Sequence, residues 1–138
     1  MRFLSIYKAV ERGVPPSQEE MTKMGKLVED GMKAGFLLAT EGCLPSALGA
    51  RVRISGGKLS VTDGPFTEAK EVVGGFAILQ ANSKEEAIEW LKRAPFDGGT
   101  EVEIRQVFET ADFAPSDPTG EIRKKEQKLR EAAGGQHR

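Results

Sequence analysis

The chain has 138 residues, 38% hydrophobic and 30% charged, with a net charge of −1. A domain of this size buries roughly two-thirds of its unfolded surface, so it needs no disulfide or metal staple, and near-neutral charge argues against broad nucleic-acid binding. The single cysteine, Cys43, excludes an internal disulfide, and no apolar run approaches transmembrane length.

Polar residues break up the N-terminal region where a signal peptide needs an apolar core, so a cytoplasmic protein is expected. Residues 2–9 read as a strand with Phe3, Leu4, Ile6 and Tyr7 on both faces. Gly13, Pro15 and Pro16 set a loop. Ser17 and Glu20 then form a capping box that starts a helix. Met21, Met24, Val28 and Met32 lie on one stripe of that helix, joined by Leu27, and read as core filling. Gly25 and Gly31 weaken the helix or allow close packing on the sheet. Gly35 fits the C′ position that ends it.

Residues 36–40 read as a second strand, and Glu41-Gly42 ends it. A carboxylate at a strand end lines a cleft or sits in an exposed loop. Cys43 reads as a small buried thiol rather than a nucleophile, because the body of the chain has no histidine to pair with it. Residues 51–54 and 59–62 flank Ser55-Gly56-Gly57-Lys58, which predicts a hairpin. Arg51 and Arg53 share one face of it, as solvated charges or an anion site.

Residues 61–75 pack turn formers, three carboxylates and a lysine between two strands. Pro65 lacks an N–H and pushes Gly64 out of the α region, so the ladder stops at Asp63. The Asp63 carboxylate either caps this turn, accepting from the Phe66 or Thr67 N–H, or faces a cleft as an acid, base or ligand anchor. Glu68, Lys70 and Glu71 follow. Gly74-Gly75 permits close backbone approach before residues 76–81 resume a strand. Ser83 and Glu86 form a second capping box, for a helix carrying Ala87, Ile88, Leu91 and Ala94 with Trp90 beside them. Pro95 and Gly98-Gly99 end it. Residues 102–108 form the last strand. Residues 114–120 read as a linker and 121–133 as a polar helix with Glu121/Lys125 and Glu126/Arg130 pairs. Residues 121–138 carry a net +3 and the rest −4; a solvated basic tail explains the asymmetry.

The order strand, helix, strand, hairpin, strand, helix, strand is a split β-α-β arrangement with an inserted hairpin. Two helices cover one face of an antiparallel four-strand sheet. The other face is also apolar, and the tail is too polar to cover it, which predicts a homodimer through the sheet face. The domain is expected over residues 1–113, with residues 114–138 as linker and tail. No P-loop, GxGxxG, zinc spacing or GxSxG is present, so no cofactor or metal is expected.

The 61–75 stretch resembles the DGPF proteins of the YCII-related family. Asp63, Gly64, Pro65, Phe66, Glu68, Lys70, Glu71, Gly74, Gly75 and Phe76 match the pattern, while Thr67 and Ala69 depart from it. The likeness extends to the strand at 4–7, to Glu41-Gly42 and to 102–107, and covers about residues 1–110. It implies a ferredoxin-like α+β subunit of a dimeric α+β barrel. It also implies a small-molecule cleft near Asp63 and a lyase or isomerase acting on a small polar molecule. Asp63 would be the general acid/base, with Glu41 second and Tyr7, Phe66 and Arg105 contacting the ligand. Some relatives use a His-Asp pair there, yet His137 in the tail is the only histidine here. The family's association with sigma-factor signalling implies an alternative, a non-catalytic ligand-binding or regulatory accessory protein. No contact with membranes is expected on either reading.

Overall fold

A computed structural model of the chain describes residues 1–11, 13–66, 72–96 and 100–136. Glu68, Lys70, Glu71, Gly98, Gly99 and His137 lie outside the described residues. Among the described residues six strands and three α-helices follow in the order β1 (Arg2–Lys8), α1 (Gln18–Lys33), β2 (Leu37–Gly42), β3 (Ala50–Ser55), β4 (Lys58–Asp63), β5 (Val73–Gln80), α2 (Lys84–Leu91), β6 (Glu101–Gln106) and α3 (Glu121–Gln136).

β1, β2, β5 and β6 form one antiparallel sheet in the order β2-β5-β1-β6. That order, with the two helices on one face, is the ferredoxin-like α+β arrangement the element pattern predicts. The helix-covered face buries Phe3, Leu37, Ala77, Leu79 and Ala81 against Ala87, with Val28, Trp90 and Leu91 packed around them. Leu79 is fully buried at the centre. Period-2 alternation places Leu4, Ile6 and Ile78 on the opposite face, where they are half-buried.

Both helices start at serine N-caps. The Glu20 N–H donates to Ser17 Oγ and the Glu86 N–H to Ser83 Oγ, each at 3.1 Å. α1 touches the sheet through Leu27 and Gly31, both buried. An added Cβ at Gly31 would sit 3.0 Å from Leu37 Cβ and 3.0 Å from Trp90 Cζ2, so this glycine is the close-packing one. The methionine stripe turns out differently from expectation. Met21 and Met32 are exposed, because Leu27 and Gly31 rather than the methionines meet the sheet.

β3 and β4 pair only with each other, in register from Ala50↔Asp63 to Ser55↔Lys58. Gly56 and Gly57, at φ +57° and +78°, make the turn.

Residues 107–138 form a second compact unit. Within it the Phe108 and Phe113 rings meet at a tilt, centroids 5.0 Å apart, and Asp117 is buried. The Asp117 carboxylate accepts from the Arg123 N–H at 3.0 Å and from Arg123 Nε at 3.2 Å. These bonds hold its pKa below the ordinary aspartate value, the Arg123 backbone N–H contributing most. A depressed folded-state pKa stabilises above the unfolded value, and the stabilisation is lost as pH falls through the folded one. Protection of the Arg123 amide against hydrogen exchange is therefore expected to fall on acidification below the ordinary aspartate range. Asp117→Asn should flatten that pH dependence.

Candidate functional site

The Gly74-Gly75 pair explains where the site forms. β5 lies between β1 and β2, so both neighbours run past this pair. A Cβ at Gly74 would stand 2.8 Å from the Tyr7 ring, and one at Gly75 would stand 2.8 Å from the Glu41 carbonyl oxygen. The missing side chains let Tyr7 from β1 and Glu41 from β2 close in on the same end of the sheet.

There a cavity of about 550 Å³ opens between the sheet and helices α1 and α2. This volume is in the range of small-molecule sites. Met21, Met24, Leu27, Trp90 and Phe96 supply apolar wall. The Tyr7 ring stacks on Phe96 with centroids 4.7 Å apart. Two polar side chains of the lining are spent on backbone: Ser5 Oγ donates to Ala77 O at 3.4 Å, and Thr40 Oγ1 to Phe76 O at 3.1 Å. The Tyr7 hydroxyl, the Glu20 carboxylate and the buried Trp90 Nε1–H remain, and none makes a side-chain hydrogen bond among the described residues. Glu41 borders the cavity through its backbone, and its register with Phe76 sets its side chain on the open face of the sheet. Glu41 is exposed and Tyr7 half-buried. The arrangement can hold an apolar body and offer its polar edge one hydroxyl, one carboxylate and one indole N–H. Among the described residues no group of three or more histidine, cysteine or acidic side chains is placed to hold a metal ion.

The other expected site residues lie elsewhere. Asp63 ends β4, exposed, across from Ala50. The Phe66 N–H donates to Ser46 Oγ at 3.0 Å, so that donor does not serve Asp63. The Phe66 ring lies under the Arg51 guanidinium, 3.9 Å from ring centroid to Cζ. Arg105 is exposed on β6, in register with Leu4 on the face away from the helices, and its Nη1 lies 3.6 Å from Glu103. Cys43 is exposed, contrary to the expected buried thiol, because it lies just past the last β2–β5 pair.

Sequence reasoning missed a second polar cluster. The Ser46 N–H and hydroxyl both donate to the Glu11 carboxylate, the hydroxyl at 2.9 Å. The Gly64 N–H donates to Gly49 O at 3.0 Å. Together these bonds zip residues 46–49 to the 64–66 turn. Glu11 gave no local signal, since its partner is 35 residues away.

These features define a ferredoxin-like α+β subunit with a cavity between helices and sheet. The sequence model of the YCII-related domain matches residues 1–111, and the chain belongs to the YCII-related family. A search of curated proteins finds no match. Among solved structures, the chain is similar to 5-chloro-2-hydroxyhydroquinone dehydrochlorinase (TftG) from Burkholderia phenoliruptrix AC1100, in complex with 2,5-dihydroxybenzoquinone. Identity is 19%, coverage is 80% of this chain and 98% of that one, and the TM-score is 0.44. No helix among the described residues is long and apolar enough to cross a membrane.

Proposed function

We propose that the cavity between helices and sheet binds a small organic molecule with an apolar body and a polar edge. We further propose that it catalyses a lyase- or isomerase-type proton transfer there. The observation that carries this reading is that Tyr7 and Glu20 line one mainly apolar cavity while Ser5 and Thr40 are already bonded. Glu20 takes a proton from the ligand and returns it, and the Tyr7 hydroxyl donates to the ligand's oxygen. Glu41, with its side chain on the open face, is given no part in the transfer. Asp63 and Phe66 belong to the neighbouring turn and Arg105 to the open sheet face; the reading assigns them no contact with the ligand. It takes the working unit as a homodimer whose open faces, carrying Leu4, Ile6 and Ile78, pack together.

A thermal-shift screen of the purified chain against small metabolites tests binding. A true ligand at a hundred times its Kd adds about 2.7 kcal/mol to the folded state. With the hit in hand, Glu20→Gln is expected to retain binding within about tenfold while stopping conversion of the ligand followed by NMR. A flat panel overturns the binding site, and undiminished turnover in Glu20→Gln overturns its acid/base role.

One observation favours a second reading, a ligand-binding regulatory protein without turnover. Among the described residues neither cysteine nor histidine lines the cavity, and Glu20 is exposed. Binding without conversion in the native chain selects this reading.

A further inference from the structure

Two apolar features of the β3–β4 region match each other and lie too far apart to meet within one chain. The first is a knob. On one face of the hairpin, the cross-strand pairs Val52↔Val61 and Ile54↔Leu59 are aliphatic. All four are open to water, with Ile54 75% and Leu59 66% exposed. Arg51 and Arg53 occupy the other face. A two-stranded hairpin with neither face buried is marginal in water, so this face calls for cover.

The second feature is a hole. A cavity of about 520 Å³ sits at the root of the hairpin, lined by Leu44, Leu48, Phe66, Val72 and Val73 among others. Leu44 and Leu48 stand at 77% and 75% exposure. The hairpin cannot fill its own hole. Ala50 lines the cavity, and Ile54 is four strand residues further out, roughly 13 Å away. The ladder is in register up to the Gly56-Gly57 turn, so the tip cannot fold back.

We propose that this chain self-associates by reciprocal arm exchange: the Ile54/Leu59 tip of each hairpin seats in the Leu44/Leu48/Phe66 cavity of a second copy. In a reciprocal exchange about a two-fold axis each contact is made twice, and such an exchange closes at a dimer. The side chains select a second copy over a foreign protein. The knob is wholly aliphatic, like half of a domain core, as in obligate homodimers. It lacks the aromatic and arginine anchors that dominate transient interfaces. This contact is independent of the open sheet face proposed above.

Cys43 lines the hole and is the chain's only cysteine, which gives a direct test. The full chain carrying Ile54→Cys, held in a glutathione redox buffer, is expected to form a disulfide-linked dimer on a non-reducing gel where the parent chain does not. Adding Cys43→Ser is expected to remove that dimer. A covalent dimer that survives Cys43→Ser, or no dimer from Ile54→Cys, overturns the exchange. A second measurement does not depend on disulfide chemistry. Ile54→Asp with Leu59→Asp changes residues already exposed in the subunit, so the fold should persist by circular dichroism. Sedimentation equilibrium is expected to show one association step weakened by roughly a hundredfold or more. Unchanged self-association, as when the open sheet face alone holds the subunits, or a parent chain that stays monomeric, overturns the proposal.

Discussion

Gly64→Ala is expected to lower stability by about 3 kcal/mol, or about 10 °C in Tm for a chain of this length. An alanine Cβ at this position would stand 1.7 Å from the Ser46 carbonyl oxygen and 2.6 Å from its carbon. Both atoms are backbone, so no rotamer change relieves the overlap and the two segments must part. Parting them strains the Gly64 N–H to Gly49 O bond and the Phe66 N–H to Ser46 Oγ bond together. Ser46 is buried and tied to Glu11, so it cannot follow the turn outward without leaving that carboxylate. Asp63→Asn, one residue away, is the internal control. Asp63 is exposed, and the change should stay within about 0.5 kcal/mol. Urea denaturation of both variants checks the pair. Equal losses would mean that the turn yields freely and that Gly64 is not held by the 46–49 segment.

The contrast between these neighbours shows what a sequence can reveal here. Strand and helix periodicity, the Ser17 and Ser83 caps and the Gly56-Gly57 turn are local signals. Each is written within a few residues, and each element formed near its expected bounds. The turn formers from Asp63 to Pro65 told correctly that the β4 ladder stops at Asp63. They could not tell which residues meet, because convergence depends on strand order. Tyr7 and Glu41 are 34 positions apart and share a cavity only because β5 inserts between β1 and β2. Gly74-Gly75 was the one legible trace of that meeting, as a place where something must come close. Glu11 and Ser46 left no trace at all, since an acid and a serine in two loops look like solvated residues until the fold joins them. The methionines misled for the opposite reason. Their spacing on α1 is correct for a buried stripe, but Gly31 draws the helix onto the sheet one step round, leaving Met21 and Met24 as cavity wall.

That same rotation of α1 gives the sharpest test of the cavity. Gly25→Leu and Gly31→Leu introduce the same side chain into the same helix, with opposite expected outcomes. At Gly25 no atom lies within 4 Å of an added Cβ, and the residue lines the cavity mouth. Leucine there removes a helix-interior glycine, a gain of about 1 kcal/mol, so Tm should rise by about 3 °C. The side chain then occupies the space a ligand would use, and affinity for any molecule found by the thermal-shift screen is expected to fall at least tenfold, on the order of 1.4 kcal/mol. At Gly31 the helix gain is the same, but Leu37 Cβ and the Trp90 ring stand at 3.0 Å. Trp90 is pinned in turn by Phe36, 5.5 Å away between ring centroids. Overpacking of this kind costs typically 1–3 kcal/mol, and the longer leucine branches place this case at the upper end, so Gly31→Leu should be less stable than the parent chain. Calorimetry on the two variants reads the stabilities, and titration of the ligand into Gly25→Leu reads the site. A more stable Gly25→Leu that binds as tightly as the parent chain would move the ligand out of this cavity. A Gly25→Leu that loses both stability and binding would mean the helix had shifted, and only the affinity of a smaller replacement, Gly25→Ala, would then report on the pocket.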